Sequence, residues 1–158
     1  MMPSRDPVDC VAKVLTANDL GLTGSHQSGI CIPRIDELLR FFPDLDAGLH
    51  NPESEVAVST PSTGEHHLLR YVYYNGRLLG INSRNEYRLT RTAGLYRALD
   101  DPQPGDSIRF CKFPDGVIEV DLVRDTPSGP LGPTGGAADG TEIVYGWTIV
   151  RVTGGNNE

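Results

Sequence analysis

Long apolar runs are missing from this chain of 158 residues, and no charged-then-apolar leader opens it. Neither a membrane span, which needs about 20 consecutive apolar residues, nor a secretory signal is therefore expected. Cysteine is scarce: Cys10, Cys31 and Cys111 are odd in number, far apart and form no CxxC pair. Such usage predicts free, buried or half-buried thiols in a reducing cytoplasm, with neither a zinc site nor a disulfide framework. No Walker loop, GxGxxG or GxSxG occurs, which removes the common nucleotide cradles and the esterase-type nucleophile. A metal-dependent nuclease centre gathers carboxylates and a lysine around a water. Pro114-Asp115 followed by Glu119-Val120-Asp121 supplies carboxylates but no lysine after the glutamate, and its spacing fits a hairpin turning back on itself. In Glu65-His66-His67, adjacent strand residues point to opposite faces, which predicts a loop-edge pair and no metal site. Positive charge is in deficit too: the net charge of −7 counts, for the chain as a whole, against a nucleic-acid partner.

Turn punctuation is abundant, with 18 Gly and 12 Pro between short alternating apolar runs. Strands are predicted over 10–16, 29–33, 55–59, 67–74, 77–81, 87–90, 107–113 and 117–123, with one long strand or a pair over 142–152. Ile35, Leu38, Leu39 and Phe42 recur at helical spacing within 34–43, and 94–100 makes a second short helix. Asn75-Gly76 predicts a type I′ hairpin turn, whose two central residues need positive φ. Tyr71 and Tyr73 share one face of their strand and are expected to pack in the core. Residues 125–141 hold five Gly and three Pro without periodicity, the composition of a flexible loop or linker. The expected architecture is a mostly β barrel or sandwich of about seven or eight strands with two short α-helices, large enough to fold as one domain.

The charge deficit reverses locally. Between His67 and Arg91 stand five arginines (Arg70, Arg77, Arg84, Arg88, Arg91) against one acid, Glu86; this window carries +4, so the remainder sums to −11. Within it, residues 82–91 (NSRNEYRLTR) interleave donors and acceptors, and on a strand or arched hairpin Asn82, Arg84, Glu86 and Arg88 share a face. These types match major-groove readout: Arg takes guanine O6 and N7 with two bonds, Glu accepts from cytosine N4, and Asn pairs with adenine. A lone acid among arginines weakens phosphate affinity, so Glu86 is expected to read cytosine or to orient a neighbouring Arg. A surface salt-bridge ladder is the plainer alternative.

The stretch 15–34 (LTANDLGLTGSHQSGICIPR) closely resembles the signature of the N-terminal effector-binding domain of EcoRII-type restriction endonucleases. The resemblance continues through NSRNEYRLTR and the GDSIRF stretch at 105–110, covering most of residues 11–124. Ser25 stands where a Gly is usual before His26, Cys31 where an aromatic is expected, and Asn82 where a lysine is expected. The resemblance implies a DNA-binding pseudobarrel, related to plant auxin-response-factor-type domains. It also implies two arms, residues 16–31 and 77–91, gripping the major groove of a short pseudo-palindrome, CCWGG for the EcoRII enzyme. Carried over, it offers His26 and Gln27 from the first arm and Arg84, Glu86 and Arg88 from the second to base edges, with Asn82 and Asn85 beside them. Glycines at 21, 24 and 29 would let the first arm run close to phosphates, where Thr16, Thr23, Ser25 and Ser28 can bond them. Lys13, Arg77 and Arg91 are the charged phosphate candidates. Asn18-Asp19 is expected to build a turn and not to touch a base.

The chain is accordingly expected to divide into an N-terminal extension (1–9), the pseudobarrel (10–124), the loop or linker (125–141), closing strands (142–152) and a tail (153–158). Its expected role is sequence-specific recognition of double-stranded DNA by a non-catalytic monomer in the bacterial cytoplasm, without membrane contact. No cofactor is needed for binding, and Mg²⁺ belongs to a nuclease domain elsewhere in the same parent chain. Two alternatives stand beside it: a complete small metal-dependent nuclease, and a β-domain binding a non-nucleic partner through Tyr71, Tyr73, Tyr74 and Trp147.

Overall fold

The computed structural model describes residues 6–24, 29–124, 143, 144 and 146–150. Among them are nine strands and two short helices: β1 (Asp9–Val14), β2 (Ile30–Ile32), α1 (Asp36–Leu39), β3 (Glu53–Thr60), β4 (Glu65–Tyr74), β5 (Glu86–Thr90), α2 (Ala93–Ala98), β6 (Ser107–Lys112), β7 (Ile118–Val123), β8 (Ile143–Val144) and β9 (Trp147–Val150). They form one sheet in the order β2-β5-β4-β3-β7-β6-β1-β9-β8. The pairing of β3 with β7 is parallel; the others are antiparallel.

The two-residue period of β4 and β5 decides what enters the core. Leu69, Tyr71 and Tyr73 of β4 and Leu89 of β5 are buried. Tyr87 stacks on Tyr73 with ring centroids 4.2 Å apart and on Tyr71 at 5.7 Å. Tyr71 in turn stacks on Phe42 at 5.0 Å, so Tyr71 and Tyr73 pack inward as their alternation predicts. Trp147 is 1% exposed, and its indole Nε1 donates to the carbonyl oxygen of Cys31 at 3.0 Å. That bond links β9, next to one end of the sheet, to β2 at the other end. The sheet therefore curls until its ends nearly meet, which makes it a pseudobarrel. Helix α1 is shorter than its spacing predicts: Phe41 and Phe42 continue from it by three-residue hydrogen bonds to Leu38 and Leu39, turning both rings into the core.

Two expectations fail. Asn75-Gly76 is no hairpin turn; residues 75–85 form a long loop and the strand predicted at 77–81 is absent. Asn75 is fully buried, its amide donating to the carbonyls of Ala47 (3.0 Å) and Leu49 (2.7 Å) and its Oδ1 accepting from the Asn51 N–H (2.8 Å). Satisfying three backbone groups of a distant segment outweighs a local turn preference. Gly76 is required for space, since a Cβ there would lie 1.9 Å from Asn82 Oδ1.

The cysteines are the second correction. Cys10 and Cys111 are bonded as a disulfide and are not free thiols; only Cys31 is free, and it is exposed. Although 101 residues apart, the pair faces directly across the β1–β6 ladder with Cα atoms 4.1 Å apart. Residues 107–123 do form the expected hairpin: Asp115 Oδ1 accepts from the Val117 N–H, and Asp121 sits opposite Arg109 at 3.5 Å. Among the described residues, no helix is long and apolar enough to cross a membrane.

Candidate nucleic-acid interface

Two segments bear on the β2–β5 edge of the sheet: the first loop, described over residues 15–24 after β1 and at Gly29 before β2, and residues 75–85, which join β4 to β5. In the first, Thr16 and Asp19 cap one another. The Thr16 N–H donates to Asp19 Oδ2 at 2.9 Å, and the Asp19 N–H donates to Thr16 Oγ1 at 3.1 Å. Asp19 Oδ2 also receives Lys13 Nζ at 2.6 Å in a buried ion pair, and the Asp19 carbonyl receives the Tyr96 hydroxyl at 2.9 Å. Asn18 Oδ1 accepts from the Thr23 hydroxyl at 2.9 Å, so Asn18 and Asp19 build the turn as expected. Gly21 and Gly24 follow at φ of +74° and +75°, values at which an L side chain would be strained.

The first loop returns against β5. Gly29 lies so close to it that a Cβ would stand 2.6 Å from the Leu89 carbonyl oxygen. Beyond it, Cys31 of β2 pairs with Arg88 of β5, which pairs with Val72 of β4 on its other side. The second loop thus ends beside the first, and the outer face of β5 carries the Arg-rich display.

On that face Arg84 and Arg88 converge on one carboxylate oxygen. Arg84 Nη2 donates to Glu86 Oε2 at 2.7 Å and Arg88 Nε donates to the same oxygen at 2.8 Å. Glu86 Oε1 has no partner among the described residues. The Arg84 guanidinium lies 3.8 Å above the Tyr74 ring centroid, a cation–π contact that fixes its plane, and its Nε is buried without a partner. Arg88 is 7% exposed, with Nη1 reaching the Gly29 carbonyl at 3.4 Å. Partial burial alone would push the Glu86 carboxyl up, but the hydrogen bonds and charges of Arg88 and Arg84 outweigh it and hold the group below the usual carboxylate range.

The structure thus brings together Arg84, Glu86 and Arg88, but not Asn82. The Asn82 side chain is turned to the Arg84 N–H at 2.9 Å, and Asn85 Oδ1 accepts from the Tyr73 hydroxyl at 2.7 Å; both amides shape the loop. Arg77 is exposed. Arg91 is exposed and held at φ +64°, beside Gly21 and Gly29. Thr16 and Thr23 are exposed at the first loop. Ser25, His26, Gln27 and Ser28 lie outside the described residues. Lys13 requires a correction: it is 5% exposed, and its ammonium is held by Asp19 and the Val14 carbonyl. It anchors the first loop from inside and is not available to a phosphate.

Three side chains at this face stand outside the DNA contacts expected from the sequence, although Arg70 lies in its arginine run and Tyr74 among its aromatics. Tyr74 supports Arg84 and accepts from Arg70 Nη1 at 3.2 Å; alternation along β4 separates it from the buried Tyr73 and could have found it. Arg70 is itself held by Glu53 at 2.6 Å. Arg34 is exposed and lines a cleft with Tyr73, Arg77, Leu78 and Asn85, and no local pattern announces it. Tyr71, Tyr73 and Trp147 are buried, which takes away most of the aromatic surface that a non-nucleic ligand would use. Among the described residues, no group of three His, Cys, Asp or Glu side chains could hold a metal ion.

The family described as "Restriction endonuclease EcoRII, N-terminal" matches residues 5–116. The type II restriction enzyme EcoRII of Escherichia coli is 34% identical over 149 residues, with 76% of this chain and 36% of the relative covered. The chain therefore spans about a third of that relative's length. Among solved structures, the B3 domain of the UbaLAI restriction endonuclease with cognate DNA aligns at 26% identity over 77% of this chain and 72% of that one, with a TM-score of 0.47. With most of its length inside the family model, the chain belongs to the EcoRII N-terminal domain family of restriction endonucleases.

Proposed function

We propose that this chain is the DNA-reading, non-catalytic effector domain of a type II restriction endonuclease, binding a short site such as CCWGG in the major groove as a monomer. One observation carries the reading: a single carboxylate, Glu86, held between Arg84 and Arg88 on an outer sheet face, with its other oxygen unpartnered among the described residues. A surface meant only for phosphates gains nothing from an acid at its centre. A surface meant for base edges does, because the carboxylate locks the guanidinium before DNA arrives and leaves Oε1 to accept from cytosine N4. Arg84, clamped by Glu86 and Tyr74, presents its remaining donors to guanine O6 and N7. Arg88 acts from beneath, tying Glu86 to the base of the first loop at Gly29. His26 and Gln27 read bases from that loop, Arg77, Arg91 and Arg34 meet phosphates, and Thr16, Thr23, Ser25 and Ser28 add neutral phosphate bonds. Binding needs no metal; Mg²⁺ serves the nuclease domain of the same parent chain, in the bacterial cytoplasm.

The test is a fluorescence-anisotropy titration with labelled duplexes, one holding CCWGG and one scrambled, near physiological salt without divalent metal. Binding to CCWGG at least about a thousandfold tighter than to the scramble supports the reading. Equal, salt-steep binding to both would show a backbone binder and remove the assigned site. No binding to either would remove the DNA-reading proposal altogether.

A further inference from the structure

The loop at 75–85 carries a feature that hydrogen-bonding readout leaves unused. Leu78, Leu79 and Ile81 are 60%, 38% and 58% exposed within four residues of one another. Their exposure is imposed by an ordered backbone. The Arg77 N–H donates to the Arg84 carbonyl, the Leu79 N–H to Asn75, the Gly80 N–H to Arg77 and the Ile81 N–H to Gly76, at 2.7 to 3.2 Å. Gly80 makes the bend at φ +75°. Asn75 roots the loop in the core through its bonds to Ala47 and Leu49. Three apolar side chains thus stand on a built platform that ends at Arg84.

The surrounding charge indicates what covers them. Residues 75–85 hold Arg77 and Arg84 and no acid, in a chain whose net charge is −7. Arg34 lines the same cleft as Arg77 and Leu78. An apolar tip with Arg77 and Arg34 beside it, and Arg84 paired to Glu86 at its base, on an acidic body fits an anionic partner with apolar groups at a few points. In the major groove the thymine 5-methyl is that group. We propose that Leu78, Leu79 and Ile81 form an apolar reader that packs on thymine 5-methyl groups within or beside the site whose other bases Arg84 and Glu86 contact. The inference rests on the DNA-reading role proposed above and adds an A·T preference to it.

Replacing thymine by deoxyuridine removes the methyl and leaves the pairing unchanged, so it isolates this contact. Full-chain protein is titrated with CCWGG duplexes in which site and flanking thymines are replaced one at a time. At the contacted positions the uracil duplex should bind about fourfold more weakly per methyl lost. The double variant Leu78→Ala/Ile81→Ala should bind thymine and uracil duplexes equally while still preferring CCWGG to the scramble. Val117→Ala, which shortens an exposed residue of the β6–β7 turn, should keep the thymine preference and serves as the folding-neutral control. Equal binding of thymine and uracil duplexes by the unaltered protein, with the CCWGG preference intact, would overturn the apolar reader and leave the DNA-reading role standing. A double variant that keeps the thymine preference would overturn the assignment to this loop, which would point to a protein partner for it. Failure to bind any duplex would overturn both proposals.

Discussion

Glu86 holds two arginines with one oxygen, and its surroundings keep it ionised. A carboxyl lowered in the folded state contributes stability that is complete above its unfolded value of about 4.3 and is lost only as pH falls through the lower folded value. Specific binding should therefore show no Glu86-dependent change between about pH 8 and pH 5, which anisotropy at several pH values reads directly. Glu86→Gln removes the charge but keeps the shape. It should cost cognate binding about 1–3 kcal/mol while tightening binding to scrambled DNA, measured by paired titrations. Lys13 makes the opposite case. Lys13→Ala leaves Asp19 buried and unpaired, so chemical denaturation should show a loss of about 3–5 kcal/mol, with the salt slope of DNA binding unchanged because no phosphate contact is lost. The pairing of Glu86 with Arg84 and Arg88 was legible in the sequence because a two-residue spacing sets the three on one face. Lys13 was not, because its partner lies across a turn whose closure depends on the Thr16–Asp19 box.

At the scale of elements, the β2–β5 ladder fastens the two loops to each other. Cys31 pairs with Arg88, and Gly29 fits against Leu89 with no room for a Cβ. Gly29→Ala places a methyl 2.6 Å from a carbonyl oxygen at a φ of +98°, so it should destabilise the fold by more than about 1 kcal/mol in urea titration. It should also weaken cognate binding beyond that of the scramble, because the first loop is displaced from Arg88. Most strands were legible as alternating runs between turn residues. The second loop was not: Asn75-Gly76 has the residues of a tight turn, but Asn75 answers to carbonyls at Ala47 and Leu49, some 26 to 28 residues earlier in the chain. A local pattern carries no record of a distant unsatisfied carbonyl. The disulfide was hidden for a related reason, since only the β1–β6 register makes neighbours of Cys10 and Cys111.

For the molecule as a whole, closure of the curled sheet rests on β9. Trp147 packs against Phe42 and Phe110 and bonds Cys31 across the gap. Trp147→Ala should cost about 3–5 kcal/mol in equilibrium unfolding, whereas Trp147→Phe keeps most of the packing and loses chiefly the bond to Cys31. The difference between the two variants weighs the seam bond against the buried ring. The seam also makes the protein its own reporter. Trp147 is the one tryptophan in the chain, and its ring nitrogen is tied to the residue that pairs with Arg88. Any ligand that settles on the outer face of β2 and β5 presses on the mount of that indole. Its emission wavelength and intensity should therefore shift on binding, so that occupancy can be followed by the natural glow of the unlabelled protein.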